Sequence, residues 1–207
     1  MKVLMVNGSP HQFGCTYTAL YAVADVLKTE NINAEISWIG DEALQDCTHC
    51  NACQKLGKCI FDEDIVNELI EKSRLADGLI LGAPVMYANP GGRMISVLDR
   101  LFYAGGKYLN YKPAAALVSA RRAGTTAALD VLNKYFTINK MPVVSSQYWN
   151  IVHGRTPEET RQDIEGVQTL KVLGQNMAWF LKSIEFAKKN GYQPPKTGAR
   201  QQTNFIR

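Results

Sequence analysis

At 207 residues, with 46% hydrophobic and 20% charged side chains, the chain can bury one sizeable core, and its composition excludes wholesale disorder. The net charge of +4 is scattered rather than blocked, which argues against a nucleic-acid surface and accommodates anionic small ligands equally well. The opening "MKVLMVNGSP" holds an apolar run too short for a signal-peptide core or a membrane span, so the cytosol, where thiols stay reduced, is the expected compartment.

"KVLMV" is a short apolar run ending at Asn7-Gly8 and reads as a buried strand. Residues 16–29 place Leu20, Val23 and Leu27 at helical spacing, and "AEISWI" suits a second strand. A cysteine-rich segment follows, then an amphipathic helix over 63–75. "GLILGAP" predicts a third strand and residues 92–103 a helix with Met94, Val97, Leu98 and Leu101 inward. "AAALVSA" is a fourth strand, residues 125–139 a helix, and "PVVSSQYW" opens a fifth strand at Pro142. One long helix is expected over 157–189, with Pro157 in its first turn behind a capping Thr156.

Alternating strands and helices indicate an α/β fold with a parallel sheet covered on both faces. Five strands fit a flavodoxin-like, doubly wound sheet of order 2-1-3-4-5, which places a ligand at the carboxyl ends of strands one and three. Residues 1–190 are expected to form a single domain with a cysteine-rich insertion at 47–59, and residues 191–207 an irregular tail.

Three loops fall on that edge. "NGSPHQFGCT" offers Ser9, Gly14, Cys15, Thr16 and a helix N-terminus, the makings of a phosphate cradle; a turn with an ordinary N-cap at Ser9 or Thr16 is the plainer alternative. It lacks both Gly-Lys-Ser/Thr and G-x-G-x-x-G. "APVMYANPGG" is stiffened by Pro84 and Pro90, and Met86 and Tyr87 offer surface for a flat ring. "SARRAGTT" combines Ser119, Gly124 and Thr125 with Arg121 and Arg122, whose charge suits the pyrimidine end of a reduced isoalloxazine. A cradle, a ring-flanking loop and an electropositive loop on one edge describe an FMN site.

"CTHCNACQKLGKC" places Cys47, Cys50, Cys53 and Cys59 in the spacing C-x2-C-x2-C-x5-C, which suits a tetrahedral metal, a cluster or redox-active thiols. His49 reads as a turn residue, since four thiols already suffice. His153 and Asp99 read as structural, because no nucleophile-base set can be assembled around them.

With these motifs in this order, the sequence resembles the NAD(P)H-dependent FMN reductase family, in particular its iron–sulfur flavoprotein branch. "VNGSPHQFGCTYTAL", "GAPVMYANPGGRMISVLDR" and "CTHCNACQKLGKCIFDED" carry the resemblance, which spans about residues 1–155. It implies that Ser9 and Thr16 bind the FMN phosphate, with Gly14 between them. Pro84, Val85, Met86, Tyr87, Ala88 and Asn89 would line the flavin edge, and Ser119, Arg121, Arg122 and Gly124 would lie by its pyrimidine end. His11 and Cys15 stand where the family usually has arginine and asparagine. The four clustered cysteines would ligate a 4Fe–4S cluster, with zinc or free thiols as alternatives, while Cys15 would not.

The expected function is an FMN-dependent oxidoreductase taking hydride from NADH or NADPH at flavin N5 and passing electrons to an acceptor. The alternative is an iron–sulfur flavoprotein electron carrier exchanging electrons with ferredoxin. A homodimer or larger assembly is expected to complete the flavin pocket, from the apolar surface of "RLFYAGGKYLNY" and "MAWFL" and from a tail ending in Phe205-Ile206.

Overall fold

A computed structural model describes residues 1–199, 201, 203 and 205. Six strands alternate with helices: β1 (Lys2–Asn7), α1 (Cys15–Thr29), β2 (Asn33–Trp38), α2 (Cys53–Leu56), α3 (Val66–Leu75), β3 (Gly78–Met86), β4 (Asn89–Pro90), α4 (Gly92–Gly105), β5 (Ala114–Ala120), α5 (Thr125–Ile138), β6 (Ile151–His153), α6 (Pro157–Gln162) and α7 (Ile164–Lys189). The parallel strands run β2-β1-β3-β5-β6, the expected 2-1-3-4-5 order once the short β4 is set aside. β4 pairs antiparallel with the end of β3, matching Val85 to Pro90 and Met86 to Asn89. The hairpin is tolerated because Pro90, which has no N–H to donate, lies on an outer edge.

β1 and β5 read as unbroken apolar runs because both sheet faces are covered. One core packs α3, α4 and α5 against Leu4, Leu79, Leu81 and Ala116. The other packs α1 and α7 against Val3, Met5, Ile80 and Leu117. Leu101 and Leu109, expected on a partner-facing patch, belong to the first core; Tyr103 and Trp179 are exposed. Phe205 is exposed, and Ile206 lies outside the described residues.

Two expectations need correction. The fifth strand does not start at Pro142: Val143 makes a single bridge to Ala114, and regular pairing begins only at Ile151. Side chains take over the hydrogen bonding between. Ser146 donates to the Tyr148 carbonyl at 2.7 Å, and Asn150 donates to the Ala116 carbonyl at 2.9 Å, so this stretch leaves the ladder. The long helix is two helices. Thr156 caps the first as expected, accepting from the Glu159 N–H at 3.2 Å. The chain then breaks at Asp163, whose carboxylate accepts from the N–H groups of Gly166 (3.0 Å) and His153 (2.7 Å). An aspartate that caps its own helix and ties it to β6 is better satisfied outside a helix than within one.

Candidate functional site

Asn7, fully buried at the end of β1, shapes the first loop from inside. Its side-chain Oδ1 accepts from the Ser9 N–H at 3.1 Å, and its side-chain Nδ2 donates to the Gln12 carbonyl at 2.9 Å. Trp38, at the end of β2, donates its indole N–H to the Ser9 carbonyl at 2.7 Å. The Ser9 hydroxyl accepts from the His11 N–H at 3.1 Å, which leaves its own hydrogen to donate elsewhere. Beyond the loop, α1 starts with no side-chain cap and no acidic residue in its first turn. Its free N–H groups and positive dipole end therefore favour an anion.

Three chain segments lock together over this edge. The Thr16 and Ser119 hydroxyls, both buried, share a 2.8 Å hydrogen bond, so whichever accepts keeps a hydrogen to donate. Gly124 lies against the β3–β4 hairpin with φ +88°, and a Cβ there would meet the Tyr87 carbonyl oxygen at 2.6 Å. Tyr87 itself holds φ +58°, uncommon for a bulky residue, with its ring fully exposed at the hairpin tip. At Gly8 a Cβ would meet the Met94 sulfur at 2.8 Å, so α4 also presses against the first loop. Pro84 and Val85 are half-buried, while Met86, Ala88, Asn89, His11, Arg121 and Arg122 are exposed. Gly14 precedes α1, its N–H donating to the His11 carbonyl at 3.1 Å. The Cys15 thiol turns to the Gly154 carbonyl at 3.6 Å and thereby toward the loop after β6.

These residues fit FMN: an uncapped helix end and buried hydroxyls with hydrogens to give suit its phosphate, and the glycine-permitted approach of hairpin and β5 loop shapes a place for a ring. Asn7 and Trp38 escaped the sequence reading, although an asparagine closing a buried strand before Gly8 is itself a turn signal.

The cysteine segment begins at the same sheet edge, where the Ile39 N–H donates to the Asn7 carbonyl at 3.2 Å. Cys47, Cys50, Cys53 and Cys59 line one pocket together with His49, Phe61, Arg100, Tyr103 and Ala104. Cys53 starts the single turn α2, which Gly57 closes with φ +70°. Burial pushes the Cys53 thiol pKa up, and the neighbouring Cys50 adds to that rise. His49 stacks edge-on against Tyr103 at 5.7 Å.

Cys59, the buried member, is held from two helices. Asn67 of α3 accepts from its N–H at 2.8 Å and donates to its carbonyl at 3.0 Å. Arg100 of α4 reaches its sulfur at 3.2 Å. Asp46, next to Cys47, accepts from the Ser96 hydroxyl on the same helix.

Among the described residues no group of three or more His, Cys, Asp or Glu side chains is arranged to hold a metal ion. A zinc ion needs four sulfurs at about 2.3 Å from one point, a convergence these thiols lack. A cluster spreads its ligands around a wider body, and four soft sulfurs in one pocket are the donor set it takes. The residues fit a cluster in donor type and number.

Asp99 accepts from the Tyr135 hydroxyl at 2.6 Å and His153 lies 3.1 Å from the Arg122 carbonyl, so both tie helices and loops together.

Residues 1–156 match the family described as NADPH-dependent FMN reductase. An iron–sulfur flavoprotein of Methanocaldococcus jannaschii is 30% identical, covering 89% of this chain and 100% of that protein. An iron–sulfur flavoprotein of Methanosarcina thermophila is 27% identical over 89% of this chain and 97% of its own length. Solved structures share the fold. A NAD(P)H:quinone oxidoreductase from Methanothermobacter marburgensis superimposes with TM-score 0.64 at 16% identity, covering 86% of this chain and 96% of that one. A flavodoxin from the domain Archaea gives 0.60 at 15% identity over 88% and 99%.

Proposed function

Because the chain belongs to the NADPH-dependent FMN reductase family, we propose that it is an oxidoreductase whose FMN, seated on the three-loop edge, exchanges electrons with a 4Fe–4S cluster at Cys47, Cys50, Cys53 and Cys59. The observation that carries this reading is the path of α4. It starts at the β3–β4 hairpin, presses Met94 under Gly8, and about two turns later presents Arg100, Tyr103 and Ala104 to the four thiols. One rigid element thus touches both places where electrons would reside.

When bound, FMN would supply hydride acceptance at N5 and stepwise electron release, and a cluster would supply single-electron transfer. The chain's own residues bind and orient. The uncapped start of α1, the Ser9 hydroxyl and the Thr16–Ser119 pair hold the phosphate. Pro84, Val85, Met86, Tyr87, Ala88 and Asn89 bound one side of the ring, while Arg121, Arg122 and Gly124 bound the pyrimidine end. His11 and Gly14 complete the cradle, and Cys15 stays committed to Gly154. The names of the two relatives support the cluster half of the proposal, and the family description, which names NADPH, supports a nicotinamide nucleotide as hydride donor. Fully exposed Tyr87 and half-exposed Met86 leave the ring side open, which favours a second copy of this chain as its cover.

Anaerobic purification tests the reading directly. Iron and labile sulfide in equal amounts, together with FMN, are expected, and NADPH and a reduced ferredoxin compared side by side identify the donor. Protein that binds FMN but never iron would remove the cluster half.

A further inference from the structure

Among the described residues Arg100 is the largest fully buried side chain, with 2% of its surface exposed. Arginine is almost never buried this far without dedicated partners. Here each nitrogen has one. Nη1 donates to Asp64 Oδ2 (2.5 Å) and the Gln45 carbonyl (3.1 Å), and Nη2 to Asp64 Oδ1 (3.1 Å) and the Phe61 carbonyl (2.8 Å). Nε is aimed at Cys59 Sγ. The Phe61 ring lies 5.5 Å from the guanidinium carbon.

Anchoring α4 to this segment does not require a buried charge, since apolar side chains of similar volume commonly do as well or better. A guanidinium does something a packed apolar group cannot: it places a permanent positive charge and an N–H donor on one sulfur. Arginine keeps its proton throughout the accessible pH range, so the charge does not come and go.

Resting on the cluster reading above, we propose that Arg100 sets the reduction potential of the cluster through its Nε–H···Sγ bond to Cys59, and that Asp64 limits how far it does so. A hydrogen bond to a ligating sulfur draws electron density from it and stabilises the more negative, reduced state, which raises the potential. The Asp64 carboxylate, bidentate on the same guanidinium, offsets part of its charge, while the Gln45 and Phe61 carbonyls keep Nε in direction. The two residues therefore act with opposite sign, whereas a purely mechanical clasp would weaken in the same way when either is altered.

The experiment is an EPR-monitored potentiometric titration of the anaerobically reconstituted full chain, with iron and sulfide content determined first. Arg100→Gln is expected to lower the cluster midpoint and Asp64→Asn to raise it, with the flavin midpoint unchanged in both. Arg100→Lys, which keeps the charge but loses the fork, should fall between Arg100→Gln and the unaltered protein. Midpoints that stay put, or that move in the same direction in Arg100→Gln and Asp64→Asn at normal iron content, overturn the proposal while leaving the cluster in place. If Arg100→Gln fails to fold or to hold iron, the upward shift in Asp64→Asn decides alone. Unaltered protein that takes up no iron sinks the cluster reading itself, and does so before any variant is made.

Discussion

The proposed flavin edge and the cysteine segment sit on the same side of one sheet, yet they are built on opposite plans. At the flavin edge the ends of β1, β3 and β5 supply the loops, and those loops bond to one another: Thr16 to Ser119, Gly124 against Tyr87, Trp38 to Ser9. Of the four clustered cysteines only Cys59 is held from both helices, its backbone by Asn67 and its sulfur by Arg100, while residues 48–51 are exposed and the sulfurs do not converge on one point. Strand ends fix a site before its ligand arrives; an inserted loop relies on the ligand to finish it.

Iron should therefore change the two regions unequally. On anaerobic loading, backbone amides of residues 48–57 are expected to gain protection from hydrogen exchange by roughly 100-fold or more, because ordering of this arm is linked to ligand binding. Amides in residues 8–16 and 119–125 should change little. Equal gains in both places would mean that the flavin edge, too, awaits its ligand.

The converse perturbation is Gly124→Ala. A side chain at φ +88° costs about 1–2 kcal/mol, and the Cβ would also have to displace the Tyr87 carbonyl. FMN affinity is expected to fall at least roughly tenfold, with the thermal midpoint lowered, while iron uptake at Cys47, Cys50, Cys53 and Cys59 stays normal. Fluorescence titration with FMN and iron analysis of the same preparation give both readouts. A parallel loss of iron would join the two regions into one cooperative unit.

This contrast also explains what the sequence revealed. The strand order and the three loops were legible because a parallel sheet covered on both faces demands continuous apolar runs, and glycine, serine and threonine mark where they end. Arg100 was hidden by its charge. It lies three residues after Val97 on the inward face of α4, a position where helical periodicity expects an apolar residue. Only its partners Asp64, Cys59, Gln45 and Phe61, far away in sequence, make burial tolerable. The break at Asp163 was hidden for the same reason, since its bond to the His153 N–H is tertiary. Local pattern reports where a segment is buried, and charge networks formed across the fold overrule it.

Thr16→Val tests the phosphate assignment more gently. It keeps the shape but removes one hydroxyl, leaving buried Ser119 without its 2.8 Å partner, at a cost of about 1–3 kcal/mol. FMN should weaken more than riboflavin, which has no phosphate to lose. Equal losses in a side-by-side titration would move the phosphate away from Thr16.

The smallest effect is expected in the frame beneath both regions. Glu35 on β2 bridges Lys2 of β1 at 2.6 Å and Lys72 of α3 at 2.8 Å. Hydrogen bonds from Lys2 and then Lys72 hold its carboxyl below the ordinary value of 4.5. A carboxylate with a depressed folded-state pKa stabilises the protein above its unfolded value, and that contribution is lost as pH falls through the folded one. With 30% of its side chain exposed, the network should contribute no more than about 1 kcal/mol. Glu35→Gln should therefore lower stability slightly at pH 7, and in acid the difference should shrink and then vanish once the pH falls beneath the depressed folded-state pKa. Because Glu35 touches neither the three loops nor the thiols, FMN affinity and iron content should match those of the unaltered protein. Denaturant melts at the two pH values check the first point. A change in either ligand at neutral pH would show that strain in the sheet frame reaches the sites, and that their different construction does not insulate them from it.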